Sequence, residues 1–216
     1  MKRRHFIKAA GAMSLLTLAT LVATSLTSSV EAPVEAPTNP TAEPVEAFAK
    51  KEIYEWRIYT LNGEGVLLDD FLAKSLLPAY QRKKIKTGAF KPLTIKDGEE
   101  EKRHILLIYP DIQTYLKVKQ AIWEDKTFLE SAKQYFDTSA PKPEYFAFES
   151  YLSEAFDFIP IHRKPDAARG LFEIRIYHSP NEEASKRKVK MFNVDEIKIF
   201  DAVGVNSVFY GDIIAG

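Results

Sequence analysis

Between Ile53 and Leu61 the chain alternates, with Tyr54, Trp56 and Ile58 interleaved with Glu55, Arg57 and Tyr59. A period of two predicts a β-strand whose successive side chains point to opposite faces. Glu55, Arg57 and Tyr59 therefore share one face. The same alternation returns as Phe172-Glu173-Ile174-Arg175-Ile176-Tyr177, which places Glu173, Arg175 and Tyr177 together on a second strand. A helix-like amphipathic stretch follows each strand, so the repeat is a supersecondary unit present twice.

In the first copy, the pattern predicts a strand over Ile53–Leu61 and a turn at Asn62-Gly63-Glu64-Gly65. A helix over Val66–Lys86 follows, with Leu68, Phe71, Leu72, Leu76 and Ala79 toward the core and a kink at Pro78. Strands at Ala89–Ile95 and His104–Tyr109 flank the polar turn Lys96-Asp97-Gly98-Glu99, which suits an antiparallel hairpin. Pro110-Asp111 opens a helical region reaching to about Asp137 with Asp111 as its N-cap, and Tyr145–Tyr151 closes the unit as a strand. The order β-α-β-β-α-β is that of a ferredoxin-like α+β unit.

The second copy predicts a strand over Leu171–His178. A capping box follows at Ser179-Pro180-Asn181-Glu182, with Pro180 at the first helical position. The next helix carries Val189, Phe192, Ile199, Phe200 and Val203 toward a core; Gly204 ends it, and Ser207–Tyr210 forms a strand. Only β-α-β is present in this copy, so a complete unit followed by a truncated one is the expected organisation. The domains are then residues 51–159 and 171–216, with residues 160–170 as the connection.

The front of the chain has a different character. Arg3-Arg4-His5-Phe6-Ile7-Lys8 resembles a twin-arginine export motif carried by Arg3, Arg4 and Phe6, and an uncharged but weakly hydrophobic stretch runs from Ala9 to Leu26. Residues 1–29 read as a signal peptide, which implies an exported, periplasmic or extracytoplasmic protein that meets the membrane only through this segment. Residues 30–50, with Pro33, Pro37, Pro40, Pro44 and several glutamates, read as an extended acidic linker.

Composition narrows the partners. Lys plus Arg and Asp plus Glu both number 30, so no net field recruits nucleic acid. The absence of cysteine rules out disulfides and thiolate metal sites. A content of 45% hydrophobic residues is sufficient for a packed core.

The stretches Phe172–Ser179, Arg187–Asn193, Glu196–Phe200 and Val203–Gly211 resemble the NIPSNAP family, as do Tyr54–Tyr59 and Leu76-Leu77-Pro78-Ala79 in the first copy. The resemblance implies tandem units of the dimeric α/β-barrel class, in which two ferredoxin-like sheets pack face to face. It also implies a complete second unit, from which this sequence departs. The family carries little biochemistry to transfer: its members are known for protein association more than for turnover. The wider superfamily holds oxygenases and lyases that place a small ligand between sheet and helices, but that is analogy of fold alone.

On a ferredoxin-like layer, Tyr54, Trp56 and Ile58 suit the face packed on helices, which turns Glu55, Arg57 and Tyr59 toward a partner sheet. Two readings of the polar face are open. Arg57 and Arg175 bind an anionic ligand with Tyr59 and Tyr177 in support, or each arginine is neutralised by a glutamate across strands and fixes the sheet register. His178, at the end of the repeated strand, is a further candidate as a ligand or a base, against a solvent-facing strand end. No histidine has metal-ligand spacing, and neither a serine-nucleophile elbow nor a phosphate loop is present. The expectation is a homodimer or other protein complex, or a binder of a small anionic ligand, without metal or cofactor. A barrel-type oxygenase or lyase is the alternative.

Overall fold

The computed structural model describes residues 50–137, 145–165 and 171–216. The export motif with Arg3, Arg4 and Phe6, and nearly all of the acidic linker, lie outside the described residues. Among those described, no helix is long and apolar enough to cross a membrane.

Five antiparallel strands form one sheet in the order β2-β3-β1-β4-β5. They are β1 (Ile53–Leu61), β2 (Lys86–Phe90), β3 (Lys102–Tyr109), β4 (Tyr145–Ala155) and β5 (Gly211–Ala215). β1 is central, pairing with β3 from Ile53↔Tyr109 to Thr60↔Lys102 and with β4 from Ile53↔Glu154 onward. Its aromatic and β-branched residues suit such a position, where both backbone edges are satisfied. The order β2-β3-β1-β4 with intervening helices is the ferredoxin-like pattern read from the sequence.

The helix after β1 runs as α1 (Val66–Phe71), a π-helical turn at Leu72–Leu76, and α2 (Leu77–Arg82). Leu68, Phe71, Leu72, Leu76 and Ala79 are all buried, packed with Ile105, Leu107, Val118, Ile122 and Phe128. Burying each large apolar side chain contributes roughly 1.5–3 kcal/mol, so this face holds the helix layer to the sheet. The helix ends before Lys86 because Lys84 adopts a left-handed conformation, φ 62°, that turns the chain into β2. β2 spans Lys86–Phe90 rather than Ala89–Ile95, since Pro92 lacks the N–H a ladder needs. Asp111 caps α3 (Ile112–Ala121) by accepting from the Thr114 amide at 2.7 Å. Two short helices follow, α4 (Lys126–Ser131) and α5 (Lys133–Phe136).

The second copy repeats the helix but not the sheet. α6 (Glu182–Met191), a π-helical turn at Phe192–Glu196 and α7 (Ile197–Ala202) repeat the order of the first helix, with about one more turn before the π segment. Gly204, φ 75°, occupies the left-handed position that Lys84 takes in the first copy. Pro78 is not the cause of the π turn, because α7 has Lys198 at the corresponding place. The N-cap is Asn181, which accepts from the Ala184 amide at 2.9 Å. Ser179 therefore does not cap, and Pro180 precedes the helix instead of opening it. Ile197 is buried, whereas Ile199 and Val203 are exposed. Ala79, at the place of Ile199 beyond the same π turn in the first copy, is buried, so the turn is not the cause of this exposure.

Two strand expectations are overturned. Residues 171–178 form neither helix nor strand and join no sheet among the described residues, and every one of them is exposed. β1 owes its strand state to neighbours on both sides, β3 and β4; no described strand takes those places beside residues 171–178. Ser207–Tyr210 likewise is not a strand: the strand is β5, which adds to the free edge of β4 through Ser153↔Ile213, Glu154↔Asp212 and Ala155↔Gly211. Gly211 permits that approach, because a Cβ there would sit 2.6 Å from the Ser153 hydroxyl.

Candidate functional site

The faces of β1 are the reverse of the sequence expectation. Glu55, Arg57 and Tyr59 point toward the helices, alongside Ile105, Leu107 and Tyr109. Tyr54 and Trp56 lie on the other face, with Leu106, Ile108, Phe90 and Phe209. A charged pair is tolerated beneath helices here because α2 and β3 supply tyrosines that satisfy it.

Arg57 Nε donates to Glu55 Oε1 at 2.6 Å, and Arg57 Nη2 donates to the Tyr80 hydroxyl of α2 at 2.7 Å. Tyr109 donates to Glu55 Oε2 at 2.8 Å, and Ser150 of β4 donates to Glu55 Oε1 at 3.1 Å. The Arg57 and Glu55 side chains are only 13% and 7% exposed. Burial pushes the Glu55 carboxyl up, but the charge and hydrogen bond of Arg57, aided by Tyr109 and Ser150, outweigh it and hold the group below its ordinary value. Burial works against the Arg57 charge too, and Glu55 overcomes it, so the guanidinium stays raised. Tyr59 is pushed up to about 12, chiefly by burial, although Arg57 pulls the other way. Tyr109 donates to the carboxylate while Tyr80 accepts from the guanidinium, and the ion pair stays charged. An incoming anion at Arg57 would have to displace Glu55.

In the second copy, the same spacing gives the same pair without the surroundings. Arg175 Nε and Nη2 donate to Glu173 at 2.9 and 3.0 Å, with side chains 47% and 66% exposed. The hydrogen bond to Glu173 raises the Arg175 guanidinium, and Tyr177 adds to it. Tyr177 is exposed, stands 5.6 Å from the Phe192 ring and has the Lys188 ammonium 4.4 Å above it. His178 is exposed. Arg57 and Tyr59 are thus one constellation, and Arg175, Tyr177 and His178 are another on a separate segment.

Three features escaped the sequence reading. Tyr80, Tyr109 and Ser150 complete the Glu55 network; each lies on an element adjacent to β1, but their meeting depends on register and helix phase. Glu52 receives the His162 amide at 2.7 Å and His162 Nδ1 at 2.8 Å, with the Tyr54 hydroxyl at 3.3 Å. His162 is thereby pinned to β1 rather than lying in a free connection. On the face away from the helices, Trp56 Nε1 and His104 Nδ1 are buried without a hydrogen-bond partner, their rings 5.5 Å apart. Burial lowers the His104 pKa, which favours the neutral ring.

A groove of about 270 Å³ opens between α1, the first π turn and the β2 edge, lined by Asp69, Leu72, Leu77, Phe90, Arg103 and Ile105 among others. Arg103 is satisfied there, donating to Asp69 at 2.7 and 2.9 Å and to Glu101 at 2.6 Å. Among the described residues no group of three or more His, Cys, Asp or Glu is placed to hold a metal ion.

No protein-family model matches the chain, and no curated protein matches it. Solved structures show a distant likeness. One is a NIPSNAP family protein with unknown function from Agrobacterium tumefaciens, 11% identical, covering 49% of this chain and 88% of that one with a TM-score of 0.38. A NIPSNAP-like domain protein from Burkholderia xenovorans is 13% identical, covering 61% of this chain and 98% of that one with a TM-score of 0.39. A mutant of SnoaB, a cofactor-independent oxygenase from Streptomyces nogalater, is 13% identical, covering 47% of this chain and 90% of that one with a TM-score of 0.32.

Proposed function

We propose that this chain is a non-catalytic association module, exported by the twin-arginine route, in which the first copy is a rigid platform and the second presents a strand for a partner to pair with. The observation that carries the reading is residues 171–178. They repeat the sequence of a strand that is central in the first copy, yet join no sheet among the described residues. Leu171, Phe172, Ile174, Ile176 and Tyr177 are each at least 45% exposed. An exposed apolar segment with this alternation suits the added strand in strand addition, where backbone hydrogen bonds supply affinity and alternate side chains supply selectivity. Contiguous exposed apolar surface is also the usual mark of an interaction site.

The Glu55–Arg57 network supports the same assignment by being closed. Its carboxylate and guanidinium are consumed by one another, by Tyr80, Tyr109 and Ser150, which leaves a sheet-stabilising role and no poised acid or base.

The direct test uses a peptide with the β3 sequence, Lys102–Tyr109, which is one of the two natural neighbours of β1. Added to dilute full-length chain, it is expected to protect the amides of residues 171–178 from hydrogen exchange. Unchanged exchange across that segment at saturating peptide would refute strand addition. Export is tested separately: Arg3→Lys with Arg4→Lys is expected to retain the chain in the cytoplasm, and undiminished export would remove that part of the proposal.

A further inference from the structure

The geometry points to a second copy of this chain as the partner, joined through residues 171–177 in an antiparallel pair whose two-fold axis passes through Ile174; this rests on reading the segment as a pairing strand. In that register Glu173 of each copy lies opposite Arg175 of the other, Phe172 opposite Ile176, Leu171 opposite Tyr177, and Ile174 opposite itself. Opposite charges, and apolar against apolar, are the cross-strand pairs that stabilise an antiparallel ladder.

Neighbouring registers are poorer for stated reasons. An axis through Arg175 sets two guanidinium groups face to face, and one through Glu173 sets two carboxylates face to face, both unfavourable. A one-residue slip puts Ile174 opposite Arg175 and mixes the apolar and polar faces. The Ile174-centred register satisfies charge and apolarity together over the whole of Leu171–Tyr177.

The copies need no rearrangement of the platform. The Glu173–Arg175 pair already lies at the surface, with side chains 66% and 47% exposed, so exchanging a partner within the chain for one across the interface involves little desolvation. β1 carries the same Glu, Arg and Tyr spacing but is flanked by β3 and β4, which closes both of its edges. Self-pairing is therefore a property of the second copy.

The experiment is light scattering on the full chain over a concentration series, with charge-reversed variants. The wild-type chain is expected to show a concentration-dependent dimer. Glu173→Arg alone and Arg175→Glu alone each place like charges opposite at two symmetric positions, and each is expected to weaken the dimer on the order of tenfold or more. An equimolar mixture of the two variants is expected to restore it, because both cross-strand pairs become opposite in sign; restoration also shows that each variant is folded. Since the chain has no native cysteine, Ile174→Cys is expected to form an intermolecular disulfide under mild oxidation and Arg175→Cys to form far less. A wild-type chain that stays monomeric throughout, or a dimer indifferent to both reversals, would overturn the self-pairing. Protection of residues 171–178 by the β3 peptide reports on strand addition independently, so a monomer that still binds the peptide sinks this inference while leaving the association reading standing.

Discussion

Strand β1 and residues 171–178 share an alternating pattern of acid, guanidinium and phenol but occupy opposite physical situations. In β1 the Glu55–Arg57 pair is buried beneath α2; Glu55 receives hydrogen bonds from Tyr109 and Ser150, and Arg57 donates to Tyr80. In the second segment the Glu173–Arg175 pair sits at the surface with similar internal distances. The i, i+2 ion pair is thus a local consequence of the strand-like backbone, whereas burial and the tyrosine shell come from neighbours. The same residues fix a core in one place and decorate a surface in the other. What differs is the desolvation that each pair has to offset.

The largest effect that sharpens this contrast is loss of the arginine. Arg57→Leu leaves Glu55 buried and uncompensated and should destabilise the fold by about 3–5 kcal/mol. Arg175→Leu should shift stability by less than about 0.5 kcal/mol, as for exposed pairs generally. Urea melts of the two variants side by side check this, and equal losses would erase the distinction. The next effect is removal of a donor to Glu55. Tyr109→Phe should cost about 1–3 kcal/mol, because a hydrogen bond to a buried carboxylate is lost.

Acid provides a third comparison. The folded Glu55 carboxyl titrates below its unfolded value, so its stabilisation is fully present above the unfolded value of about 4.3 and is lost as pH falls through the folded pKa. Glu55→Gln should flatten the decline in stability below about pH 5. Asp111, held at about 2 first by Lys50 and then by the Thr114 amide, acts with the same sign from the surface. The smallest effect concerns the helix ends. Lys84→Gly should relieve a left-handed lysine and stabilise by up to about 1 kcal/mol, whereas Gly204→Ala should destabilise by a similar amount.

Much of the first copy was legible because its signals are local. The period-two run gave β1 with its observed bounds, and the helical spacing picked out Leu68, Phe71, Leu72, Leu76 and Ala79, all of which are buried. Asp111 announced its cap. Non-local matters were not legible. Which face of β1 meets the helices depends on where Tyr80 and Tyr109 fall, and the alternation alone is symmetric between the two faces. Ile199 is exposed although Ala79 at the same place in the first copy is buried, so its exposure depends on what packs beside the helix, which helical spacing does not show. Pro92 was a readable sign that β2 ends early. Residues 171–178 have every local feature of a strand, and only the absence of a described neighbour keeps them from being one.

Residues 53–61 and 171–178 differ in protection despite a shared alternation of acid, guanidinium and phenol, and hydrogen exchange measured residue by residue at low and high chain concentration tests this directly. The amides of β1 should exchange only through global unfolding at either concentration, while those of residues 171–178 should exchange quickly when dilute and slow markedly as the chain is concentrated. Equal protection of the two stretches in dilute solution, or exchange in the second that ignores concentration, would contradict it.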